Sequence, residues 1–460
     1  MREACGIYGI YSFNGDELAK PVYYGLFALQ HRGQESAGIY TSDGKQFRGW
    51  VGMGLVNVVF NEENLKDLRG HIAIGHVRYS TTGSSVLVNA QPVVVESKFG
   101  PLALAHNGNL VNTPQLRAEL PNYPFRSTTD SEVIAAHLAC SSAATFEEAL
   151  ISTLRKCHGA FSLVIMTLDK LVAVRDQNGI RPLVIGKMDQ AYVVSSETCG
   201  LDVVGAEFVR EVANGELVII DKEGLQSKTW DRQQREALCV FEFIYFARPD
   251  SLVAGRSFHD VRVHLGKYLA KEHPTEAEMV IAVPDSGIPA AIGFAAETKI
   301  PYSEGLIKNR YIGRTFIQPT QTMREIGVRM KLNPIRDAIR GRKMVVIDDS
   351  IVRGTTSRQI VRLLRDYGAR EIHMRVSSPP IMYPCFYGID TPSRSELIAA
   401  NLSLEGIRKY IEADSLGYLS LRSLIKAVNL PKGRLCLACL NGDYPVRIPE
   451  RLESLKLLFK

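Results

Sequence analysis

The sequence has 460 residues, of which 45% are hydrophobic and 23% charged, with 55 basic against 49 acidic side chains. This length exceeds what one hydrophobic core usually organises, so it predicts two domains. A net charge of +6 gives no general case for nucleic acid as a partner, and no apolar run approaches the ~18 residues of a membrane span. Eight cysteines are too few for a disulfide-stapled secreted fold, so we expect a cytoplasmic protein.

The first half of the chain alternates short apolar runs with glycine-containing and polar turns, a pattern that is typical of β-strands. The predicted strands lie within residues 71–80, 100–110, 161–169, 191–197 and 215–221. A helix is predicted over 130–141, with Asp130 or Ser131 as its N-cap. Many strands with few helices between them predict an α+β sandwich. The polar stretch 221–236 is interpreted as the linker that follows it.

The second half changes to a rhythm of strand, loop and helix. Apolar strands precede turns within 277–287, 342–356 and 370–380, and a helix with one apolar face follows the second strand and stops at Gly368. This alternation predicts a parallel α/β sheet that binds its ligands at the carboxyl ends of the strands.

The opening stretch MREACGIYGI places a cysteine directly before a strand-like run. A small thiol near a terminus is ordinarily a buried core residue. The alternative is that residues 1–4 are removed, so that Cys5 becomes the first residue and its freed α-amine serves as the base for its own thiol. An α-amine has a pKa of about 7.7–8, which suits it for that task.

The run VVIDDSIVRGTTS, residues 345–357, ends a predicted buried strand in two adjacent carboxylates, Asp348 and Asp349. A loop rich in glycine and hydroxyl groups then leads into a helix. Backbone N–H groups at a helix N-terminus bind phosphate, while carboxylates bind ribose hydroxyls or Mg²⁺. The alternative is an acidic pair that only caps the helix, which leaves the rest of the run unexplained.

This run resembles the ribose-diphosphate fingerprint of the type I phosphoribosyltransferases. VPDSG (283–287) resembles the segment with which that family holds pyrophosphate and Mg²⁺, and residues 308–334 resemble its mobile catalytic loop. A basic loop facing solvent or nucleic acid is the alternative for 308–334. The resemblance implies that phosphoribosyl diphosphate is bound by Ser350, Arg353, Gly354, Thr355, Thr356, Lys308 and Arg314. It also implies a Mg²⁺ site formed by Ser286, Asp348 and Asp349.

Four further segments, 29–39, 75–83, 106–112 and 127–133, together with CGIYGI, resemble the glutaminase domain of the N-terminal-nucleophile amidotransferases. The resemblance implies that Cys5 is the nucleophile and that Asn107 and Gly108 form the oxyanion hole. It also implies that Arg78 binds the α-carboxylate of glutamine and Asp130 its ammonium group. A papain-like mechanism is the alternative, with His31, His76 or His106 as the base. The terminal position of Cys5 argues against it, and no histidine is assigned a catalytic role.

A glutaminase followed by a phosphoribosyltransferase is similar to one family, the amidophosphoribosyltransferases. The resemblance implies that ammonia from glutamine passes internally to phosphoribosyl diphosphate, giving 5-phosphoribosylamine, glutamate and diphosphate in the first committed step of purine (IMP) synthesis. We expect a leader (1–4), a type 2 amidotransferase domain (5–230) and a phosphoribosyltransferase domain (231–460). The alternatives are an amidotransferase with another phosphorylated acceptor, and a regulator that uses the phosphoribosyltransferase fold.

The cysteines divide into two groups. Cys239, Cys385, Cys436 and Cys439 match the positions that hold a [4Fe–4S] cluster in one branch of that family. From the residues alone, zinc or unligated thiols also fit one C-x₂-C pair and two separate cysteines. Cys140, Cys157 and Cys199 are predicted to be buried thiols. The resemblance further implies feedback inhibitors of the AMP and GMP type and a homo-oligomer, either a tetramer or a dimer, with neither nucleic acid nor membrane as a partner.

Overall fold

The structure, a computed structural model, describes residues 5–80, 83–231, 235–309, 331–389, 391, 393–450 and 452. Its first half consists mainly of β-strands. In chain order these are β1 (Gly6–Ser12), β2 (Ser36–Ser42), β3 (Phe47–Met53), β4 (Ile72–Arg78), β5 (Val93–Ser97), β6 (Gly100–Leu110), β7 (Gly159–Met166), β8 (Leu171–Arg175), β9 (Val184–Met188), β10 (Ala191–Ser195), β11 (Glu207–Glu211), β12 (Glu216–Asp221) and β13 (Gly224–Thr229).

These strands form two antiparallel sheets that pack face to face. One sheet has the order β11-β9-β10-β1-β4-β2-β3 and the other the order β13-β12-β8-β7-β6-β5. Apolar side chains from both sheets, among them Ile7, Ile74, Ala105 and Val164, are fully buried between them. Removing this apolar surface from water is the main force that holds the two sheets together. The predicted sandwich is confirmed.

Helices cover the outer faces of the sandwich. They are α1 (Ala19–Ala28), α2 (Val56–Val59), α3 (Glu62–Asp67), α4 (Thr113–Ala118), α5 (Asp130–Ala139), α6 (Phe146–Lys156) and α7 (Cys199–Asp202). Helices α1 and α7 pack on the first sheet, and α5 and α6 pack on the second. The prediction of Asp130 or Ser131 as the N-cap of α5 was wrong. Thr129 is the cap, because its hydroxyl accepts from the N–H of Glu132 at 3.3 Å, and the Asp130 carboxylate instead accepts from the N–H of Leu110.

The interpretation of 221–236 as a linker was wrong for its first part. Strand β13 pairs with β12 along its whole length, from Asp221 opposite Gly224 to Glu216 opposite Thr229. Trp230, which follows directly, is only 2% exposed. The side chains of β13 are polar because it is an edge strand with much of its surface in water, and such a strand has the composition of a linker. The predicted boundary at 230/231 stays a prediction.

The second half contains shorter strands and more helices. The strands are β14 (Leu238–Cys239), β15 (Leu252–Val253), β16 (Arg256–Ser257), β17 (Met279–Ala282), β18 (Leu306–Lys308), β19 (Leu332–Pro334), β20 (Lys343–Asp348), β21 (Glu371–Val376), β22 (Ser415–Tyr418) and β23 (Leu435–Cys436). The helices are α8 (Phe258–Glu272), α9 (Ile288–Thr298), α10 (Arg336–Ile339), α11 (Thr355–Asp366), α12 (Ile398–Asn401), α13 (Leu404–Ile411), α14 (Leu421–Val428) and α15 (Ala438–Asn441). Residues Glu242–Phe246 form one turn of π-helix.

A parallel sheet with the order β17-β20-β21-β22 lies at the centre of this half. Helices α8, α9 and α14 bury one face of the sheet, and α11 and α13 bury the other. The predicted parallel α/β sheet is confirmed. Since all four strands run in the same direction, their carboxyl ends meet at one edge, where an open α/β sheet binds its ligands.

The two halves share part of their hydrophobic core. Val111, Ala160 and Ile180 of the sandwich belong to the same buried cluster as Phe241 and Tyr387 of the second half. Within the part of the chain that the structure describes, no helix is both long enough and apolar enough to cross a membrane.

Candidate active sites

Cys5 lies at the start of β1 and is only 6% exposed. Its thiol donates to the carbonyl of Tyr79 at 3.4 Å. Burial raises the pKa of the Cys5 thiol, and the nearby Arg78 opposes that increase without overcoming it. The thiol is therefore protonated at neutral pH, and a reaction at this sulfur needs a base to form the thiolate.

Asn107 and Gly108 lie in β6 and are held by their pairing with β7. The Asn107 side chain is fully buried, and neither its amide nitrogen nor its amide oxygen has a hydrogen-bond partner among the described residues. An unpaired buried amide costs about 1–3 kcal/mol, so this side chain is suited to bind a ligand rather than to stabilise the fold. Gly108 has a φ of +152°, and a Cβ there would lie 2.0 Å from the carbonyl oxygen of Ala160. Only glycine fits that position.

The sheet packing brings β6 close to the strand beside Cys5. Gly6 of β1 pairs with Val77 of β4, and Nε2 of His76 in β4 donates to the carbonyl of His106 at 3.1 Å. The residue after His106 is Asn107. The predicted nucleophile and the predicted oxyanion hole therefore lie on neighbouring parts of the same two-sheet structure.

Arg78 and Asp130, the predicted ligands of the amino acid, are both buried near Cys5. Arg78 donates to the carbonyl of Ser84 at 3.1 Å, and both residues act electrostatically on the Cys5 thiol. Asp130 lies 3.7 Å from His106. Burial alone would raise the pKa of Asp130, but His106 and the N–H of Leu110 hold it below its usual value. The site thus holds a buried cation and a buried anion, as a zwitterionic amino acid requires, and Glu35 is a second carboxylate 3.8 Å from Arg78.

The second predicted site lies at the carboxyl end of β20. Asp348 and Asp349 are 7% and 6% exposed, and burial raises the pKa of both carboxyl groups. The hydroxyls of Ser286 and Ser350 donate to the Asp349 carboxylate. Two adjacent carboxylates that are poorly solvated provide oxygen ligands for a hard cation such as Mg²⁺, so these residues fit the predicted metal.

Helix α11 begins at Thr355, after a loop of five residues that follows this acidic pair. Gly354 is its N-cap with a φ of +76°, and a Cβ there would lie 2.6 Å from the side chain of Ile398. Thr355 and Thr356 are its exposed first residues. A glycine cap followed by hydroxyl side chains leaves the first N–H groups of the helix open to an anion.

The basic residues predicted at this site make ion pairs within the protein. Lys308 lies 2.5 Å from Asp285, and Arg353 lies 3.1 Å from Glu396. The ion pair places the Lys308 ammonium group next to the 283–287 segment, whereas the Arg353 side chain contacts Glu396, outside the predicted motifs. Arg314 lies outside the described residues, as does most of the predicted catalytic loop.

The four cysteines that match a cluster site come together from three parts of the second half. Cys239 and Cys436 lie opposite each other in the parallel pair β14–β23, and Cys385 and Cys439 interact electrostatically with them. Burial raises the pKa of Cys239 to about 11. Among the described residues, no three His, Cys, Asp or Glu side chains are arranged to hold one metal ion.

A single zinc ion and a four-iron cluster place different demands on the spacing of four cysteine thiols. A single zinc ion would need its sulfur ligands within about 4 Å of one another. A four-iron cluster carries each thiolate on a different iron, so it accepts a wider spacing. Four buried thiols are a donor set that either group can use. Of the other cysteines, Cys157 and Cys199 are buried as predicted, but Cys140 is exposed because it is the residue that ends α5.

Comparisons with known proteins agree with the two kinds of domain that the sequence predicts. A glutamine amidotransferase domain model matches residues 76–202, and a phosphoribosyl transferase domain model matches 256–378. The chain is 53% identical to an amidophosphoribosyltransferase of Synechococcus elongatus, with 100% of this chain and 94% of the relative covered. It is 50% identical to one of Methanocaldococcus jannaschii, with 96% and 98% covered. The chain belongs to the amidophosphoribosyltransferase family.

Two solved structures match over nearly the whole chain. One is described as the allosteric regulatory enzyme of purine biosynthesis, with a TM-score of 0.93, 48% identity, and 98% of this chain and 99% of that chain covered. The other is a glutamine phosphoribosylpyrophosphate amidotransferase from B. subtilis in complex with ADP and GMP, with a TM-score of 0.91, 48% identity, and 97% and 98% covered. As a member of this family the chain is a glutamine-dependent phosphoribosyl-transferring enzyme.

Two residues that the sequence assigns no role lie beside the candidate glutaminase residues: Arg32, which it does not single out, and His106, which it considers only as the base of a papain-like mechanism. Nε of Arg32 donates to the carbonyl of Cys5 at 3.1 Å, and His106 contacts Asp130. Both residues lie in segments that carry the resemblance, 29–39 and 106–112. The signal was therefore present, but a role for Arg32 follows only once its partner in another part of the chain is known.

Proposed function

We propose that this chain hydrolyses glutamine at Cys5 and passes the ammonia inside the protein to phosphoribosyl diphosphate, with 5-phosphoribosylamine, glutamate and diphosphate as products. Family membership supports the overall reaction, which is the first committed step of purine nucleotide synthesis. The assignment of residues rests on one observation. Among the described residues the buried amide of Asn107 has no hydrogen-bond partner, and it lies in the same two-sheet structure as the buried thiol of Cys5.

The proposed glutaminase step uses the α-amine of Cys5 after residues 1–4 have been removed. The amine takes the thiol proton, and the thiolate attacks the carboxamide carbon of glutamine. The amide of Asn107 and the N–H of Gly108 hold the resulting oxyanion. The α-ammonium then returns its proton to the leaving nitrogen, so collapse of the intermediate releases ammonia and leaves a thioester, which water hydrolyses to glutamate. Arg78 and Asp130 hold the two charged groups of the substrate throughout.

The proposed acceptor step takes place at the edge of the parallel sheet. The N-terminus of α11, with Ser350, Gly354, Thr355 and Thr356, binds the 5-phosphate of the substrate. Asp348 and Asp349 hold the ribose hydroxyls, so that C1 faces the incoming ammonia. Ser286 and the two acids would hold Mg²⁺, which when bound offsets charge on the leaving diphosphate. Lys308, Arg353 and Arg314 are proposed to contact the phosphates as well.

We further propose that Cys239, Cys385, Cys436 and Cys439 hold a [4Fe–4S] cluster with a structural role. Cys239 lies near the junction of the two halves, and Cys436 and Cys439 lie near the end of the described chain. A group bonded to all four would link chain segments that are far apart in sequence, which restricts the unfolded chain more than the folded one.

Regulation and assembly are proposed from the relatives. Because the B. subtilis structure contains ADP and GMP, we propose that purine nucleotides of the AMP and GMP type inhibit this chain. We also propose that it forms a homo-oligomer, either a tetramer or a dimer. Inhibition assays with each nucleotide and light scattering of the purified protein test these two statements separately.

The main experiment is intact mass measurement with N-terminal sequencing of protein purified without oxygen. We expect active enzyme to begin at Cys5, because only a terminal cysteine has the α-amine that the mechanism needs. Native mass measurement on the same sample reports the bound cluster. Fully active protein that still begins at Met1 would contradict the proposed mechanism.

A further inference from the structure

A cluster of four buried charged side chains lies at the junction of the two halves. Arg32, Arg181 and Glu197 come from the sandwich, and Glu242 comes from the second half. All four are at most 2% exposed. Both carboxylates are paired with guanidinium groups, as burial of charge requires, and the buried Arg262 lies beside them on a backbone carbonyl.

Arg32 connects this cluster to the candidate nucleophile. Its Nε donates to the carbonyl of Cys5 at 3.1 Å. Its two terminal nitrogens donate to the two carboxylate oxygens of Glu242 at 3.1 and 2.7 Å, and one of them also contacts Glu197. A two-point contact with a carboxylate fixes the plane of a guanidinium group. The orientation of the group that holds Cys5 is therefore set by a residue of the other half.

Glu242 is itself held firmly in place. Arg181 donates to its carboxylate at 3.2 Å. Arg262 of α8 donates to the carbonyls of Phe243 and Ala247, at 2.8 and 2.7 Å, and so fixes the π-helical turn that carries Glu242. The charge of Arg262 also acts on Asp349 of the phosphoribosyl site. A short series of buried contacts thus joins the second half to the carbonyl of Cys5.

We propose that Glu242 is a positioning residue for glutamine hydrolysis, acting through Arg32 on Cys5. This inference rests on the proposed function, in which Cys5 is the terminal residue of the mature chain. A terminal residue is attached to the protein on its carbonyl side alone, so a contact with that carbonyl controls where its amine and thiol lie. Misplacement of a reacting group by about 1 Å costs roughly 10²-fold in rate.

The test is Glu242→Gln, which keeps the size of the side chain and removes its charge. We expect kcat for glutamine hydrolysis to fall by about 10- to 100-fold. The KM for glutamine should change by less than about twofold, because Arg78 and Asp130 are unchanged. Alkylation of the Cys5 thiol by iodoacetamide should slow in parallel, and Glu242→Asp should recover part of both losses. Ammonia-dependent phosphoribosylamine formation, which bypasses Cys5, is measured on the same preparation as the control for folding.

A matched control is Glu216→Gln. Like Glu242, Glu216 is a buried carboxylate, but it lies in the sandwich. It accepts from both terminal nitrogens of Arg210 at 2.8 Å, and among the described residues it has no contact with Arg32 or Cys5. We expect this variant to lose stability without losing kcat. If Glu242→Gln does not accumulate as folded protein, Arg32→Lys replaces it, since lysine keeps the charge but cannot contact Cys5 and Glu242 together.

The outcomes separate this inference from the function on which it rests. An unchanged kcat in Glu242→Gln, an equal loss in the ammonia-dependent reaction, or an equal loss of kcat in Glu216→Gln would each overturn the positioning role. Glutaminase activity that survives in Cys5→Ala would instead overturn the proposed nucleophile. A Cys5→Ala variant without glutaminase activity, beside a fully active Glu242→Gln, would reject the inference alone.

Discussion

The glutaminase site lies inside an antiparallel sandwich, whereas the phosphoribosyl site lies at the open edge of a parallel sheet. In the sandwich, Cys5 precedes β1, and Arg78 and Asn107 lie in β4 and β6, so strand pairing and sheet packing bring the three together. At the sheet edge, Asp348, Asp349 and the start of α11 lie within eight residues of one another in the chain, and Ser286 joins them from another loop. The first site is therefore defined by tertiary contacts, whereas most of the second lies on a single loop.

The two sites also differ in the signs of the charged side chains that surround them. In the sandwich, the Arg78 cation and the carboxylates of Glu35 and Asp130 all act on the Cys5 thiol, so groups of both signs surround it. At the sheet edge, two carboxylates are buried side by side, and hydroxyls are the side chains that donate to Asp349 among the described residues. We infer that the first site is complete within the protein, while the second depends on a cation and a substrate to balance its charge.

The largest effect that distinguishes the two sites should come from Asp349→Ala. Loss of a metal and ribose ligand should lower ammonia-dependent phosphoribosylamine formation by at least about 10³-fold. Glutaminase activity should remain measurable, because Cys5 and its neighbours are unchanged. Diphosphate release and glutamate release, measured separately, check this. Asp337→Ala, at an exposed position of α10, is the control, and substantial ammonia-dependent activity in Asp349→Ala would refute the assignment.

A second variant tests whether the glutaminase site is complete within the protein. Asn107→Ala should lower kcat for glutamine hydrolysis by about 10²- to 10³-fold, since one oxyanion donor is lost. Its thermal midpoint should hardly fall, because the amide has no hydrogen bond to lose. Asn178→Ala is the matched control. That buried amide donates to the carbonyl of Arg235 at 2.6 Å, so its loss should destabilise the fold and leave glutaminase activity intact. The reverse pattern would show that Asn107 is structural.

The difference between the sites explains what could be predicted from the sequence. Residues 345–357 form one continuous motif, because a parallel strand delivers its ligands directly after its own carboxyl end. The glutaminase residues were found through a resemblance that spans four separated segments. The pairing of Arg32 with Glu242 joins positions that are 210 residues apart, and no local sequence pattern predicts it. Contacts of this kind are visible only after the chain has folded.

The errors of the sequence analysis have local physical causes. Strand β13 has a polar composition because it lies at an edge, so it was interpreted as a linker. The cap of α5 was placed too late because Asp130 is a good capping residue by type. Its carboxylate is instead committed to the N–H of Leu110, a partner that sequence spacing does not reveal. Cys140 ends a helix at the surface, whereas its apolar neighbours had suggested burial.

A third variant concerns the cysteines of the second half. Cys436→Ser should abolish iron binding and lower the free energy of unfolding by more than the ~1 to 3 kcal/mol of an ordinary buried substitution. Iron and sulfide analysis together with thermal unfolding measure both effects. Cys157→Ser, a buried thiol of the sandwich outside the group of four, should keep its iron. Zinc in place of iron in the unaltered protein, or equal behaviour of the two variants, would exclude the cluster.

The smallest predicted effect concerns His76, which is buried between the two sheets of the glutaminase site. Burial lowers the pKa of His76 to about 3, so its imidazole stays neutral in the folded protein. In the unfolded chain the imidazole takes up a proton below a pKa of about 6.5. The unfolded state therefore binds more protons than the folded state between these values, and stability falls as the pH falls, by about 1.4 kcal/mol per pH unit for this one group.

Replacing this imidazole removes that part of the pH dependence. His76→Gln keeps a donor for the carbonyl of His106, so it should lose less stability than the unaltered chain when the pH is lowered from 7 to 4.5. Thermal midpoints across this range measure the difference, with His259→Gln, an exposed histidine at the start of α8, as the control for loss of an imidazole. Curves that stay parallel would mean that His76 becomes charged inside the sandwich. In that case the charge balance around Cys5 would change with pH, and the glutaminase site would no longer be complete within the protein.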